Sequence, residues 1–515
     1  MVAAILELLR GWRPTGDDAV ITFRAWGVFS SHPPLLGQAT LALSSGLSAR
    51  DLGPLEYWLL AVPVHLDPSQ GALWGAALIC AAGVAIAVNA AFTLRGPIAA
   101  MIVVGIVAVV ITQRPQVVLD PVWNPDLGLV CFIVAGVLGW VVASGRFAYW
   151  PWMVLFASVA AQCHLMFAFG VTACCLVALV LGLLRARNWR WTVAGLVVGV
   201  ACWLAPLLQE VKHGDNGNIS RLSQMGGGPH ALGLGYGLKA LASVVTPRPT
   251  WMHGASLSNL RWLLGTIDTR SPVLGACVVV FTVIATVIYT LLGRRSQAMM
   301  YAVLATLALS VVATVASYPI QNLGTLAAFG YVDTITWPVG LGVLAGLAWV
   351  LWDVGDWAIR HRSEHTAGRR RSSRSSWQPV LLGIGALVLL GLPTGWTAHD
   401  EGANDHIVGS WQNITTVRTT VARVEASVPH GRIDVMVGSM SSGFSGLNGY
   451  GVLVGLLWEL YATGYRPATS SFFLSLIGPQ ASVLSVSSLP EPPIVLVSAP
   501  SLDQVTASVI PRAKP

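Results

Sequence analysis

The chain reads as mainly α: a polytopic transmembrane helix bundle of about 10–11 spans with a small C-terminal extracytoplasmic α/β domain. Three observations predict this. The 515 residues are 54% hydrophobic and only 10% charged, against roughly 25% charged in a soluble domain. Apolar stretches of about 20 residues, the length that crosses a bilayer, recur through residues 1–397. From residue 398 onward the apolar runs shorten and Gly, Ser and Pro separate them, which suits packed strands and helices.

Taken in order, "MVAAILELLRGW" is too short to span, carries Glu7 and Arg10, and lacks a signal-peptide cleavage site; it is expected to be the tail of a first helix. "PLEYWLLAVPVHL" (54–66) is short and holds a Glu, so it is expected to be interfacial or re-entrant. Spans are expected at 71–93, 97–113, 127–144, 149–164, 165–184, 190–207, 272–292, 298–317, 334–352 and 380–397, with one apolar run split near His164. In the tail, "DHIVGSWQNITTVRTTVARVEASV" has helical spacing, "RIDVMVG" (432–438) and "PPIVLVSA" read as strands, and "VLVGLLWELYATG" (452–464) as a helix. The Gly/Ser-rich stretch "SMSSGFSGLNGYG" before that helix lacks the GxGxxG spacing and is expected to be a turn rather than a phosphate cradle.

Basic residues orient the bundle. The chain has 27 arginines and three lysines. Arg95, Arg146, Arg185, Arg187, Arg190, Arg294, Arg295 and the linker 353–379, with its run "RHRSEHTAGRRRSSRSS", fall in alternate connections. Positive connections stay cytoplasmic, so 14–53, 114–126, 208–271, 318–333 and 398–515 are expected outside. The formal charge of +7 follows from those loops and does not call for nucleic acid. All seven cysteines lie in apolar segments, which predicts packing rather than disulfides or a metal site. There is no GxxxxGK[ST] loop for internal nucleotide hydrolysis.

The distinctive polar clusters therefore face outward. "TGDDAVITFRAWGVFSSHPPLLG" sets Asp17 beside Asp18, with Arg24 and His32 following. Adjacent helical side chains diverge by roughly 100°, so the two acids cannot share one role. Either they only cap a helix beginning near Ala19, or one is a base or metal ligand and the other its support. "QRPQVVLDPVWNPD" (113–126) adds Arg114, Asp120 and Asp126 in a proline-stiffened loop, where Trp123 is a plausible interfacial anchor. "AAQCHL" places Gln162 and His164 at the outer end of a span, where they serve either structure or function. "LLQEVKHGDNGNISRLSQMGGG" carries Gln209, Glu210, Lys212, His213, Asn218 and Arg221; such cations hold either a lipid-linked phosphate or ordinary headgroups. The following "LGLGYGLKALASVV" has a helical face expected to lie along the membrane.

These pieces in this order resemble the GT-C superfamily of membrane glycosyltransferases, and within it the bacterial, often actinobacterial, set related to protein mannosyltransferases and arabinosyltransferases. The resemblance rests on "GDDAVITFRAWGVFSSHPPLLG", "GPLEYWLLAVP", "AAQCHL" and "WLAPLLQEVKHGDNGNISRL". It covers the membrane portion, and the chain departs from the pattern at "RDLGP" (50–54), where many relatives read His-Pro-Gly-Pro. The resemblance implies a multi-pass plasma-membrane enzyme that moves a sugar from a polyprenyl-phosphate donor to a cell-envelope glycan, lipid or protein acceptor, with inversion. Asp17 is expected to be the catalytic base, since it follows Gly16 in the Gly-Asp pattern, and Asp18 to assist it. Arg24, His32, Arg114, Asp120, Asp126, His164, Gln209, Glu210, Lys212 and Arg221 are the candidate substrate-binding residues. No cofactor is required by the resemblance; a divalent cation beside the acids is left open, because some relatives use one. Membrane lipids are partners and nucleic acid is not. Two other classes fit the composition: a transporter or lipid flippase, which predicts inverted repeats that the sequence lacks, and a non-catalytic cell-wall scaffold.

Overall fold

Long apolar runs satisfy their backbone only as helices when water is excluded, and the chain is accordingly mainly helical. The computed structural model describes residues 1–39, 49–186, 188–225, 231–253, 266–318, 333–366, 411–440, 444–470, 485–486, 493–501 and 504–510. Two short helices lead: α1 (Val2–Arg10) and α2 (Gly16–Trp26). Then come α3 (Leu55–Leu66), α4 (Gly71–Arg95), α5 (Pro97–Gln113), α6 (Gln116–Leu119), α7 (Asn124–Ala143), α8 (Trp150–Cys163), α9 (Leu165–Leu183) and α10 (Trp189–His213). After α11 (Asn218–Met225) and α12 (Leu234–Ser243) the chain forms α13 (Pro272–Leu291), α14 (Arg295–Ala316) and α15 (Thr336–Thr366). Among the described residues seven helices, α4, α7, α9, α10, α13, α14 and α15, are long and apolar enough to cross a membrane.

Nine of the ten expected spans coincide with helices, and the tenth, 380–397, lies outside the described residues together with 367–379; α15 runs on through Thr366, so the first part of the expected linker 353–379 is helical. α7 is almost wholly buried, and its side chains form one core with residues of α4, α5, α8, α9, α13 and α14. The outward faces of α10 and α13 keep large apolar residues such as Leu196, Val200, Val280 and Val287 exposed, as lipid-facing helices do. α12 is the helix expected from "LGLGYGLKALASVV". It packs between α13 and α14, because Gly237 and Gly275 let backbones approach: a β-carbon on Gly275 would stand 2.0 Å from the Leu238 carbonyl.

The two ends of the bundle are distinct. At one end the arginine-bearing turns gather: Arg95 bonds Gln297, and Arg294 pairs with Asp353 at 2.5 Å. At the other end stand α2, the start of α3, the 114–123 connection, His164 at the α8–α9 break and the residues after α10.

The tail forms the expected α/β unit: α16 (Trp411–Ser427), β1 (Arg432–Met440), α17 (Phe444–Ala462), β2 (Arg466–Thr469), β3 (Ser485–Val486), β4 (Ile494–Ser501) and β5 (Gln504–Ile510). The strand order is β3-β2-β1-β4-β5, parallel except that β5 runs antiparallel to β4. α17 begins earlier than its sequence pattern suggests, absorbing much of the Gly/Ser-rich stretch. Val452, Leu453, Val454, Leu456, Leu457, Trp458 and Leu460 are all fully buried. A helix apolar all round must be covered all round, and α17 shares one core with the sheet and with α2. Phe23 meets Trp458 edge-on at 4.9 Å, the Trp458 indole donates to the Pro68 carbonyl at 3.0 Å, and Arg13 pairs with Glu459 at 3.1 Å. The α/β unit is thus seated on the end of the bundle that carries the paired acids.

Candidate functional site

Gly16 opens α2 in the left-handed region (φ 54°), which an L side chain rarely adopts. α2 therefore starts at Gly16 rather than near Ala19, with Thr15 at the N-cap making no side-chain cap bond. The two acids fall in its first turn and are not its caps. They diverge as helical neighbours must. Asp17 is half-buried and accepts from the Trp123 indole at 3.1 Å and from Gln38. Asp18 is buried and hydrogen-bonded to Asp120, which the Trp12 indole also reaches. The first turn of α2 and the connection before α7, a hundred residues apart, thus place three carboxyls together.

Charge and burial decide their protonation. Burial, then the carboxyls of Asp120, Asp17 and Glu56, hold Asp18 well above the ordinary carboxylate range. Burial pushes Asp120 up to about 6, against the lowering effect of its bond from Asp18. Like charges this close do not both ionise, so the pair shares one proton. Asp17 is raised by burial, while its bonds from Trp123 and Gln38 oppose the rise.

The second connection braces this arrangement from behind. Arg114 and Asp126 form a buried ion pair, and the Arg114 guanidinium lies 5.3 Å over the Trp123 ring, the same ring that holds Asp17. Asp126 stands in the first turn of α7 rather than in a loop, because Asn124-Pro125 starts the helix.

The first loop supplies residues that motif reading passed over. Residues 37–39 pair with 50–51: the Gly37 amide donates to the Asp51 carbonyl at 3.0 Å and the Asp51 amide to the Gln38 carbonyl at 2.8 Å. This brings Gln38 to Asp17 and carries Arg50 and Asp51 into the cluster. Asp51 accepts from Asn124 Nδ2 and from the Leu165 amide, both at 3.3 Å, tying the first loop to α7 and to the start of α9. Burial pushes Asp51 up to about 8, the Leu165 bond opposing it. Arg24 is buried, bonded to the Gly37 carbonyl and to the Tyr57 hydroxyl, with its guanidinium 5.0 Å over the Tyr57 ring. Arg50 lies close enough to Arg24 that burial and this second cation lower it to about 10. Its Nη1 is buried with no hydrogen-bond partner among the described residues. A buried guanidinium nitrogen without an acceptor is costly, and an anion is the kind of group that satisfies it. "RDLGP" was the available signal, two charges in an apolar chain.

The remaining candidates divide. His164 caps α9, its Nδ1 accepting from the Met166 amide at 3.2 Å, and Gln162 bonds the Leu55 amide and the Cys202 carbonyl. Gln209 accepts from the Asn218 amide, and Glu210 accepts from the Ile219 and Ser220 amides, so both fold the connection after α10. His32 is exposed and bonded to Ser31; Lys212 is exposed, and Arg221 is half-buried on α11. Neither His32 nor Lys212 contacts the acids in the hydrogen bonds and ion pairs among the described residues. No three His, Cys, Asp or Glu side chains among the described residues are arranged to hold a metal ion: Asp18 and Asp120 are bonded to each other, and Asp17 is taken by Trp123.

Compared with protein-family models and with curated proteins, the chain matches none.

Proposed function

We propose that the chain is an integral membrane glycosyltransferase of GT-C type that moves a sugar from a polyprenyl-phosphate donor to a cell-envelope glycan, lipid or protein acceptor, on the outer face of the plasma membrane and with inversion. The observation that carries this reading is that a half-buried, oriented Asp17 and an Arg50 whose Nη1 has no hydrogen-bond partner among the described residues stand at the same end of an apolar bundle. The resemblance of the first loop supplies the reaction class.

In this reading Asp17 takes the proton of the acceptor hydroxyl as that oxygen bonds to the anomeric carbon. The bond from the anomeric carbon to the phosphate oxygen breaks, and polyprenyl phosphate leaves with the electron pair. Burial raises the affinity of Asp17 for a proton towards that of a useful base, while Trp123 and Gln38 keep it aimed. Arg50 offsets the charge that gathers on the leaving phosphate, which is where a fixed cation in a dry site acts most strongly. Asp18, sharing its proton with Asp120, supports the base and does not compete with it. Arg114 and Asp126 act through Trp123. The positive-inside pattern of the sequence supports reading this end, and the α/β domain seated on it, as outside the cell.

The test is donor choice by purified protein in liposomes, with polyprenyl-phosphate hexoses and pentoses offered beside the matching nucleotide sugars. The lipid donors are expected to be consumed and the nucleotide sugars ignored. Direct transfer from a nucleotide sugar without lipid carrier refutes the reading.

A further inference from the structure

The connection after α10 reaches back 168 residues to the first loop through one side chain. Asn218 is 3% exposed and faces the backbone of Arg50 with both ends of its amide. The Arg50 amide donates to Asn218 Oδ1 at 2.9 Å, and Asn218 Nδ2 donates to the Arg50 carbonyl at 2.8 Å. This is the pairing one strand would offer another, supplied by a side chain. Asn218 is itself held: its backbone amide donates to Gln209 Oε1 at 3.2 Å, and Glu210 accepts from the Ile219 backbone amide at 3.0 Å and from the Ser220 backbone amide and hydroxyl at 3.2 and 3.0 Å. Arg50 needs such support. Its guanidinium is partly desolvated, close to that of Arg24, and Nη1 has no partner among the described residues. Left to itself, a long cationic side chain in that position gains by swinging to water and away from the second cation.

We propose that Asn218 is a positioning residue: by clamping the Arg50–Asp51 backbone it holds the Arg50 guanidinium where the phosphate of the lipid donor arrives. The claim rests on the reading of Arg50 as the phosphate-facing cation. It also gives the polar connection after α10 a task, since Gln209 and Glu210 both hold the segment that carries Asn218. Asp51, next in sequence, is fixed by the same contact and keeps its bonds to Asn124 and Leu165.

The experiment measures binding of polyprenyl monophosphate, without sugar, to the full chain in nanodiscs, and separately the kinetics of transfer. Asn218→Ala is expected to weaken polyprenyl phosphate binding about tenfold, the scale of one well-made hydrogen-bond pair, and to raise KM for the lipid donor by a similar factor while kcat changes less than about threefold. Since the clamp acts through Arg50, the Asn218→Ala/Arg50→Ala double variant should bind no more weakly than Arg50→Ala alone. Losses that add overturn the clamp and leave the phosphate reading standing. A wild-type protein with no affinity for polyprenyl phosphate overturns the phosphate reading and the clamp with it. If Asn218→Ala does not fold, the isosteric Asn218→Asp keeps the acceptor for the Arg50 amide and loses the donor to the Arg50 carbonyl. It too is expected to bind about tenfold more weakly, and wild-type binding by that variant contradicts the proposal.

Discussion

Asp120→Asn is expected to change the stability of the protein in a direction that depends on pH. In the folded chain Asp120 binds its proton up to about pH 6, against 3.8 for the free group. A carboxyl raised on folding makes the folded state hold more protons than the unfolded one, so its contribution is fully present below the unfolded value and is lost as pH rises through the folded value. The window for Asp120 is therefore pH 4 to 6, and at about 1.4 kcal/mol per unit the penalty at pH 8 is of the order of 3 kcal/mol. Asparagine never pays it, and its amide oxygen can still accept from Asp18. The variant should thus match the wild type near pH 4 and exceed it at pH 8. Unfolding can be followed with a thiol-reactive dye, because Cys80, Cys131, Cys163, Cys174 and Cys202 are buried in the folded protein. A variant that differs from wild type by the same amount at both pH values, or that is less stable at pH 8, refutes the shared proton.

Three further outcomes follow from the same contacts. Trp123→Phe removes the indole bond that holds Asp17 down, so the acid limb of kcat/KM should move to higher pH and turnover should fall roughly tenfold, for loss of one bond to a charged group; an unmoved limb counts against Asp17 as the titrating base. Arg114→Met breaks the buried pair with Asp126 and should destabilise the fold by about 3 kcal/mol, as read by thermal unfolding, because a lone buried carboxylate remains; little change in unfolding would mean the pair does not brace the site. In intact cells an impermeant thiol reagent should label Ser439→Cys and spare Ser373→Cys, and the opposite pattern would invert the topology.

The helices of the bundle were legible because the apolar length that crosses a bilayer is a local property, and runs such as 71–93 and 272–292 carry it unmistakably. The site was legible in its pieces and not in its assembly. Asp17 and Asp18 announce themselves as adjacent acids, but nothing in periodicity says that Asp18 turns to Asp120 while Asp17 turns to Trp123. Arg50 and Asp51 were read as a departure from a pattern; their value comes from pairing with residues 37–39, a contact that two short polar segments do not advertise. Glu56 led α3 to be expected as an interfacial or re-entrant helix; the structure adds that the helix turns that carboxyl inward and leaves Trp58, Val62 and Leu66 outward. The all-round apolar α17 carried a signal of burial on both sides, and what covers its second face is α2, more than four hundred residues earlier in the chain.

The most direct test of the central claim is the turnover of Asp17→Asn. Purified wild-type and variant protein in liposomes are supplied with a labelled polyprenyl-phosphate sugar and a cell-envelope extract as acceptor, and released polyprenyl phosphate and labelled product are counted. Asparagine keeps the shape and the Trp123 contact but cannot take the hydroxyl proton, so the rate should fall roughly 10²–10⁴-fold with donor binding preserved. A folded Asp17→Asn protein that transfers sugar at near the wild-type rate would contradict the account.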